Sequence, residues 1–158
     1  MSNPCGLNIT CVGGTWNWEY KREFVCMAAC ASPDTPIATP EGERAIAELG
    51  IGDLVYSVDR DAIRVVPIAR VRRVHVAHHS VLRIALGGGI RLQISPLHPT
   101  ADGRLLGALR VGDLLDGHRI ERVELIPYDA DSTYDILPAS ETGTYFAAGA
   151  LIGSTITH

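Results

Sequence analysis

The phrase Leu-x-aliphatic-Gly-Asp-Leu stands at residues 49–54 and again at 109–114. Each copy is preceded by a stretch that opens on a glycine, Gly42 or Gly103, and followed by a block suited to paired strands. Val71-Arg72-Arg73-Val74 parallels Ile120-Glu121-Arg122-Val123, residues 80–84 parallel 132–136, and 90–95 correspond loosely to 144–149. A repeat of this kind means two copies of one supersecondary unit that bury their apolar faces together. The expected body is pseudo-two-fold, with a site where the halves meet. In each copy the glycine, Gly52 or Gly112, suits a turn with positive φ. The aspartate beside it, Asp53 or Asp113, is suited to accept from backbone N–H groups.

Around these anchors, short apolar runs alternate with turn chemistry. Strands are predicted at 35–39, 54–58, 65–76, 81–86, 90–94, 119–126, 134–137 and 145–152. Pro40-Glu41-Gly42 and Ala101-Asp102-Gly103 read as turns, and Gly87-Gly88-Gly89 as a hairpin. Residues 43–49 allow one short helical turn, stopped by Gly50 and Gly52. The predicted class is therefore all-β, with short helical turns only. The 158 residues, 46% of them apolar, are enough for one domain with a real core.

The charge balance excludes some functions. Fourteen basic and eighteen acidic residues leave a net charge of −4, and only Arg70, Arg72 and Arg73 cluster, so no nucleic-acid footprint is expected. No run reaches the length of a membrane span, and no basic, apolar, small-residue order marks a signal peptide. A monomer without cofactor is expected, and the compartment is left open.

Residues 1–29 differ in texture and read as a separate leader. They hold both tryptophans, with Trp16, Trp18 and Tyr20 in strand-like alternation, and three of the four cysteines, Cys5, Cys11 and Cys26. The fourth, Cys30, follows the unhindered pair Ala28-Ala29. The cysteine spacings lack the paired knuckles of a zinc ribbon, so disulfides or free thiols are expected instead. His75, His78 and His79 resemble a metal cluster, but neighbouring residues on a strand face opposite sides, which leaves at most a pair.

The chemistry-bearing pattern is Cys30 answered by Ser95-Pro96-Leu97-His98. A thiol that attacks the carbonyl just upstream trades the Ala29–Cys30 amide for a thioester. A thiol of ordinary pKa is only about 3% thiolate at pH 7, so a neighbouring base or donor helps. His98 can protonate the leaving Cys30 nitrogen, and Ser95 can hold the amide or its oxyanion, each such donor being worth about 3 kcal/mol. The bland readings stand beside these. Cys30 could be half of a disulfide with Cys26 or Cys11, His98 a plain turn histidine, and Ser95 the end of a strand.

Cys30, Asp34, Thr35, Ile37 and Thr39, followed by Gly42, Ile46, Leu49 and Gly52-Asp53, resemble the first block of the Hint superfamily of inteins and Hedgehog proteins. Ser95-Pro96-Leu97-His98 resembles its second block, with Ser where the family has Thr. Tyr134-Asp135-Ile136 and residues 143–152 resemble its last. The resemblance implies a duplicated, horseshoe-like Hint domain over 30–155, a tail at 156–158, and autocatalytic cleavage of the leader from a thioester by water, a thiol or an amine. It also implies that Asp135 approaches the nucleophile, although a solvent-facing strand position is the bland alternative. Inteins close on His-Asn before Ser, Thr or Cys, whereas this chain reads Gly153-Ser154-Thr155, so cleavage without splicing is expected. No counterpart to the sterol-binding region of Hedgehog proteins is expected, nor cholesterol transfer. The competing class is a degenerate Hint shell that serves as an interaction module, with Cys30 bridged.

Overall fold

The computed structural model describes residues 30–76 and 80–157, and the strand backbone at 10–12, 15–17 and 23–25. Strands β1 (Thr10–Val12), β2 (Thr15–Asn17) and β3 (Glu23–Val25) form an antiparallel sheet of their own. Trp18, Tyr20 and the leader's end at Ala29 lie outside the described residues, as do Cys5, Cys26, His78 and His79. Strands β4 (Pro36–Thr39) and β5 (Gly42–Ala45) make a hairpin, and a 3-10 turn at Ile46–Glu48 follows. Then come β6 (Leu54–Asp59), β7 (Ala62–His75), β8 (Ser80–Leu86) and β9 (Ile90–Ile94). A second 3-10 turn at Leu106–Ala108 leads into β10 (Leu114–Leu115) and β11 (His118–Pro127). Strands β12 (Ser132–Pro138), β13 (Tyr145–Ala147) and β14 (Ala150–Ile152) complete the chain. The fold is all-β, and among the described residues no helix is long and apolar enough to cross a membrane.

The duplication holds atom by atom. Gly50 N–H donates to Asp53 Oδ2 at 2.8 Å, and Arg110 N–H donates to Asp113 Oδ2 at 2.8 Å. Gly52 (φ 91) donates to Ile68 O at 2.9 Å, and Gly112 (φ 94) donates to Ile120 O at 2.8 Å. Both aspartates thus serve the local turns that their Gly-Asp pairs suggest.

The two units exchange strands. Strand β7 of the first pairs with β12 of the second, while β11 of the second pairs with β8 of the first. Val71 faces Ile136 and Val123 faces Ile84, so both β7 to β11 (71 to 123) and β8 to β12 (84 to 136) correspond at a spacing of 52. The counterpart of Ile120 is therefore Ile68, and the sequence alignment of Val71 with Ile120 stands three residues off. The cause is a longer first hairpin. The repeated phrases lie 60 apart (49 to 109) and the strands 52 apart, so eight extra residues extend the β6–β7 ribbon.

One core joins the copies through matched residues: Ile46 with Leu106, Leu49 with Leu109, Val55 with Leu115, Ile68 with Ile120, and Ile84 with Ile136. Burial of a Leu or Ile side chain contributes roughly 1.5–3 kcal/mol, so this shared core binds the halves into one body. The segment read as one strand at 145–152 is instead the β13–β14 hairpin. It turns at Ala148 (φ 51) and Gly149 (φ 84).

Candidate functional site

Cys30 and Ala31 run between the two copies. Ala31 bridges Ile94 at the end of β9 on one side and Tyr134 in β12 on the other. Ala31 N–H donates to Tyr134 O at 2.7 Å, and Tyr134 N–H donates back at 2.8 Å. Ser95 N–H donates to Cys30 O at 3.2 Å, which brings the 95–98 turn to the residue of the thiol. In an antiparallel pair centred on Ala31 and Tyr134, Cys30 faces Asp135, so these two side chains share one face of the sheet. The Cys30 thiol is free and buried, against Val74.

That burial changes the chemistry expected of an ordinary thiol. Loss of solvent, reinforced by the negative charge of Asp135, pushes the Cys30 pKa up to about 12, against smaller opposing contributions from Thr133, Arg72 and Thr155. At pH 7 about one molecule in 10⁵ is then thiolate, so the reaction needs a base that acts during the attack.

His98 is fully buried. Its backbone N–H donates to Ser95 O at 3.0 Å, which closes the turn. Its Nε2 lies 2.7 Å from Gly153 O. A carbonyl only accepts, so Nε2 carries a proton. Tyr145 O–H donates to Asp135 Oδ1 at 2.6 Å, and its oxygen lies 3.4 Å from His98 Nε2. Tyr145 thereby links the aspartate to the histidine. Its own pKa is driven well above the ordinary phenol value by burial and by Asp135, so it stays a donor.

Asp135 is 1% exposed, which sets aside the solvent-facing alternative. Oδ1 accepts from Ile136 N–H at 2.9 Å as well as from Tyr145. Oδ2 accepts from Thr155 N–H at 2.8 Å, from the Thr155 hydroxyl, and from Ser154 Oγ at 3.4 Å. Arg72, which faces Asp135 across the β7–β12 pair, donates to Thr155 Oγ1 at 3.3 Å. One carboxylate thus ties the C-terminal segment into the site.

One buried hydroxyl, Ser95 Oγ, has no hydrogen-bond partner among the described residues. The reason for Ser95 lies in a second repeat. Ser32-Pro33-Asp34-Thr35-Pro36 and Ser95-Pro96-Leu97-His98-Pro99 fold alike. Thr35 N–H donates to Ser32 O as His98 N–H does to Ser95 O, and Ala47 N–H to Pro33 O as Gly107 N–H does to Pro96 O. In the first copy Ser32 Oγ is satisfied by Asp34 and Thr35, each at 3.0 Å. In the second copy Leu97 and His98 replace those partners, and Ser95 Oγ is left over. A buried donor without a partner costs about 1–3 kcal/mol, a cost that a negatively charged acceptor would remove.

The structure therefore brings Cys30, Ser95, His98 and Asp135 together. Tyr145, Thr133 and Gly153 are additions. The Ser-Pro-x-x-Pro repeat was open to view in the sequence, whereas nothing local marks Tyr145. His75 lies apart from this cluster, 3.5 Å by Nδ1 from Ser132 Oγ, and among the described residues no three metal-ligating side chains converge.

No protein-family model and no curated protein matches the sequence. Solved structures do. A bacterial intein-like domain from Clostridium thermocellum is similar at a TM-score of 0.68 and 22% identity, over 78% of this chain and 97% of that one. A DnaB intein from Synechocystis sp. PCC 6803 gives 0.68 at 13% identity, over 80% and 99%. The PabCDC21-1 intein gives 0.68 at 15% identity, over 81% and 99%. The chain has the Hint fold.

Proposed function

We propose that this Hint domain processes itself at the Ala29–Cys30 bond by an N–S acyl shift. The reading is carried by one observation: Ser95 N–H donates to Cys30 O, so the turn that holds His98, and a Ser95 hydroxyl with no partner among the described residues, adjoins the backbone of a residue with a free, buried thiol. The structural likeness to inteins supports the fold on which such chemistry is found.

In this scheme His98 is the base that takes the Cys30 Sγ proton, its Nε2–H being held by Gly153 O. The sulfur bonds to the Ala29 carbonyl carbon, and the oxyanion accepts from Ser95 Oγ–H. The imidazolium then returns its proton to the Cys30 nitrogen as the carbon–nitrogen bond breaks. A thioester joins Ala29 to Cys30 Sγ, and water, a thiol or an amine releases the leader. This uses histidine first as base and then as acid, which suits a thiol that is almost wholly protonated at neutral pH. Asp135 accepts from Ile136, Tyr145, Ser154 and Thr155, so in this shift it positions Tyr145 and the C-terminal segment.

The test is the intact mass of the full chain at neutral pH, with and without dithiothreitol and hydroxylamine. The expected result is a break before Cys30 that both reagents accelerate and that Cys30→Ala abolishes. An unchanged mass over days in both reagents would falsify the reading and leave a shell that acts only by contact.

A further inference from the structure

We propose that the Gly153–Ser154 peptide bond is a second self-processing junction, cleaved through an ester on Ser154 and independent of the Cys30 thiol. Both sides of this bond are held. Gly153 N–H donates to Pro99 O at 3.0 Å, and Gly153 O accepts from His98 Nε2 at 2.7 Å. Beyond the bond, Ser154 Oγ donates to Asp135 Oδ2 at 3.4 Å and accepts from Ile156 N–H at 3.1 Å, while Thr155 N–H donates to Asp135 Oδ2 at 2.8 Å. The acyl residue is a buried glycine. A Cβ on residue 153 would meet Thr100 O at 3.0 Å and Pro99 Cγ at 3.3 Å, so the seat fits glycine, whose carbonyl carbon has no side chain to shield it.

These groups supply what an N–O acyl shift requires. Ser154 Oγ gives its proton to Asp135 and bonds to the Gly153 carbonyl carbon. The oxygen takes up negative charge against His98 Nε2–H, a donor already at oxyanion distance. The carbon–nitrogen bond breaks, and the Ser154 amine takes the proton from Asp135. An ester then joins Gly153 to Ser154 Oγ. Water hydrolyses it to a Gly153 carboxylate and a peptide that begins at Ser154. No asparagine takes part, which accords with its absence after Asn17.

The experiment follows the intact mass of the Cys30→Ala chain, alongside the wild type, at neutral pH in buffer and in hydroxylamine. The expected product ends at Gly153, as a carboxylate in buffer and as a hydroxamate in hydroxylamine. Ser154→Ala abolishes it, and Ser154→Cys forms it faster in dithiothreitol through a thioester. His98→Ala slows it about a hundredfold, and His98→Gln, which keeps a donor, retains more of the rate. Retention of residues 154–158 by every chain in hydroxylamine overturns the proposal, as does equal loss of that tail from Ser154→Ala. The break before Cys30 is read separately in the same wild-type spectrum, so either junction can fail without the other.

Discussion

Cys30 gains its character from where the fold puts it. The folded thiol holds its proton to about pH 12, whereas an unfolded one releases it near 9.0. Between these values the native chain binds a proton that the unfolded chain has lost, so stability falls as pH rises through the window. The contribution is complete below pH 9 and gone above 12, about 4 kcal/mol in all at 1.36 per unit. Denaturant midpoints measured from pH 8 upward should therefore fall more steeply for the wild type than for Cys30→Ala, and equal slopes would contradict the burial described. Alkylation of the native thiol should likewise climb about tenfold per pH unit past the point where an ordinary thiol levels off. Cys30, Ser95 and His98 were singled out by their pattern along the chain, and Asp135 by the family resemblance alone. Tyr145 was not, since an aromatic in an apolar strand reads as core, and only the fold places its hydroxyl between Asp135 and His98.

At the scale of elements, the 95–98 turn is the 32–35 turn with two side chains exchanged. Ser32-Pro33-Asp34-Thr35 closes on itself through its hydroxyls, and Ser95-Pro96-Leu97-His98 keeps the backbone while freeing Ser95. The second copy also packs more tightly. A Cβ on Gly107 would stand 2.8 Å from Pro96 Cβ and 2.9 Å from Pro96 O, where the first copy accommodates Ala47. Gly107→Ala should thus displace the 95–98 turn, lower stability by about 1–3 kcal/mol, and slow the break before Cys30, as read by thermal melting and intact mass. A melt and a cleavage rate matching the wild type would show that the turn tolerates the push. Asp53 and Asp113 offer the opposite case. Each accepts one backbone N–H at 2.8 Å in an equivalent turn, so Asp53→Ala and Asp113→Ala should cost similar amounts, about 1 kcal/mol. Most strands were visible from alternation and turn residues. The β13–β14 hairpin was not, because its first turn residue, Ala148, takes a positive φ without glycine's signature.

For the whole molecule, the decisive feature is the exchange of strands between copies. The repeat announced two units, but sequence similarity is blind to which copy a strand pairs with, since β7 could have met β8 as easily as β12. The register settles it, and the consequence is mechanical. Each long strand pairs with its own half only at its start, β7 with β6 and β11 with β10, and along the rest of its length with a strand of the other copy, and the Ile and Leu pairs of the core come one from each copy. A chain cut at Gly88, in the β8–β9 turn, leaves β7 and β8 in one fragment and β11 and β12 in the other. Each fragment alone exposes strand edges and half a core, so neither should give the dispersed amide spectrum of a folded protein. Mixed, they should recover it, because every lost strand pair is restored between chains. Cys30 would then sit on one fragment and Ser95, His98 and Asp135 on the other, so cleavage before Cys30 should begin only after mixing. A first fragment that folds and cleaves by itself would mean that the thiol needs nothing from the second copy, and the shared site would then have to be abandoned.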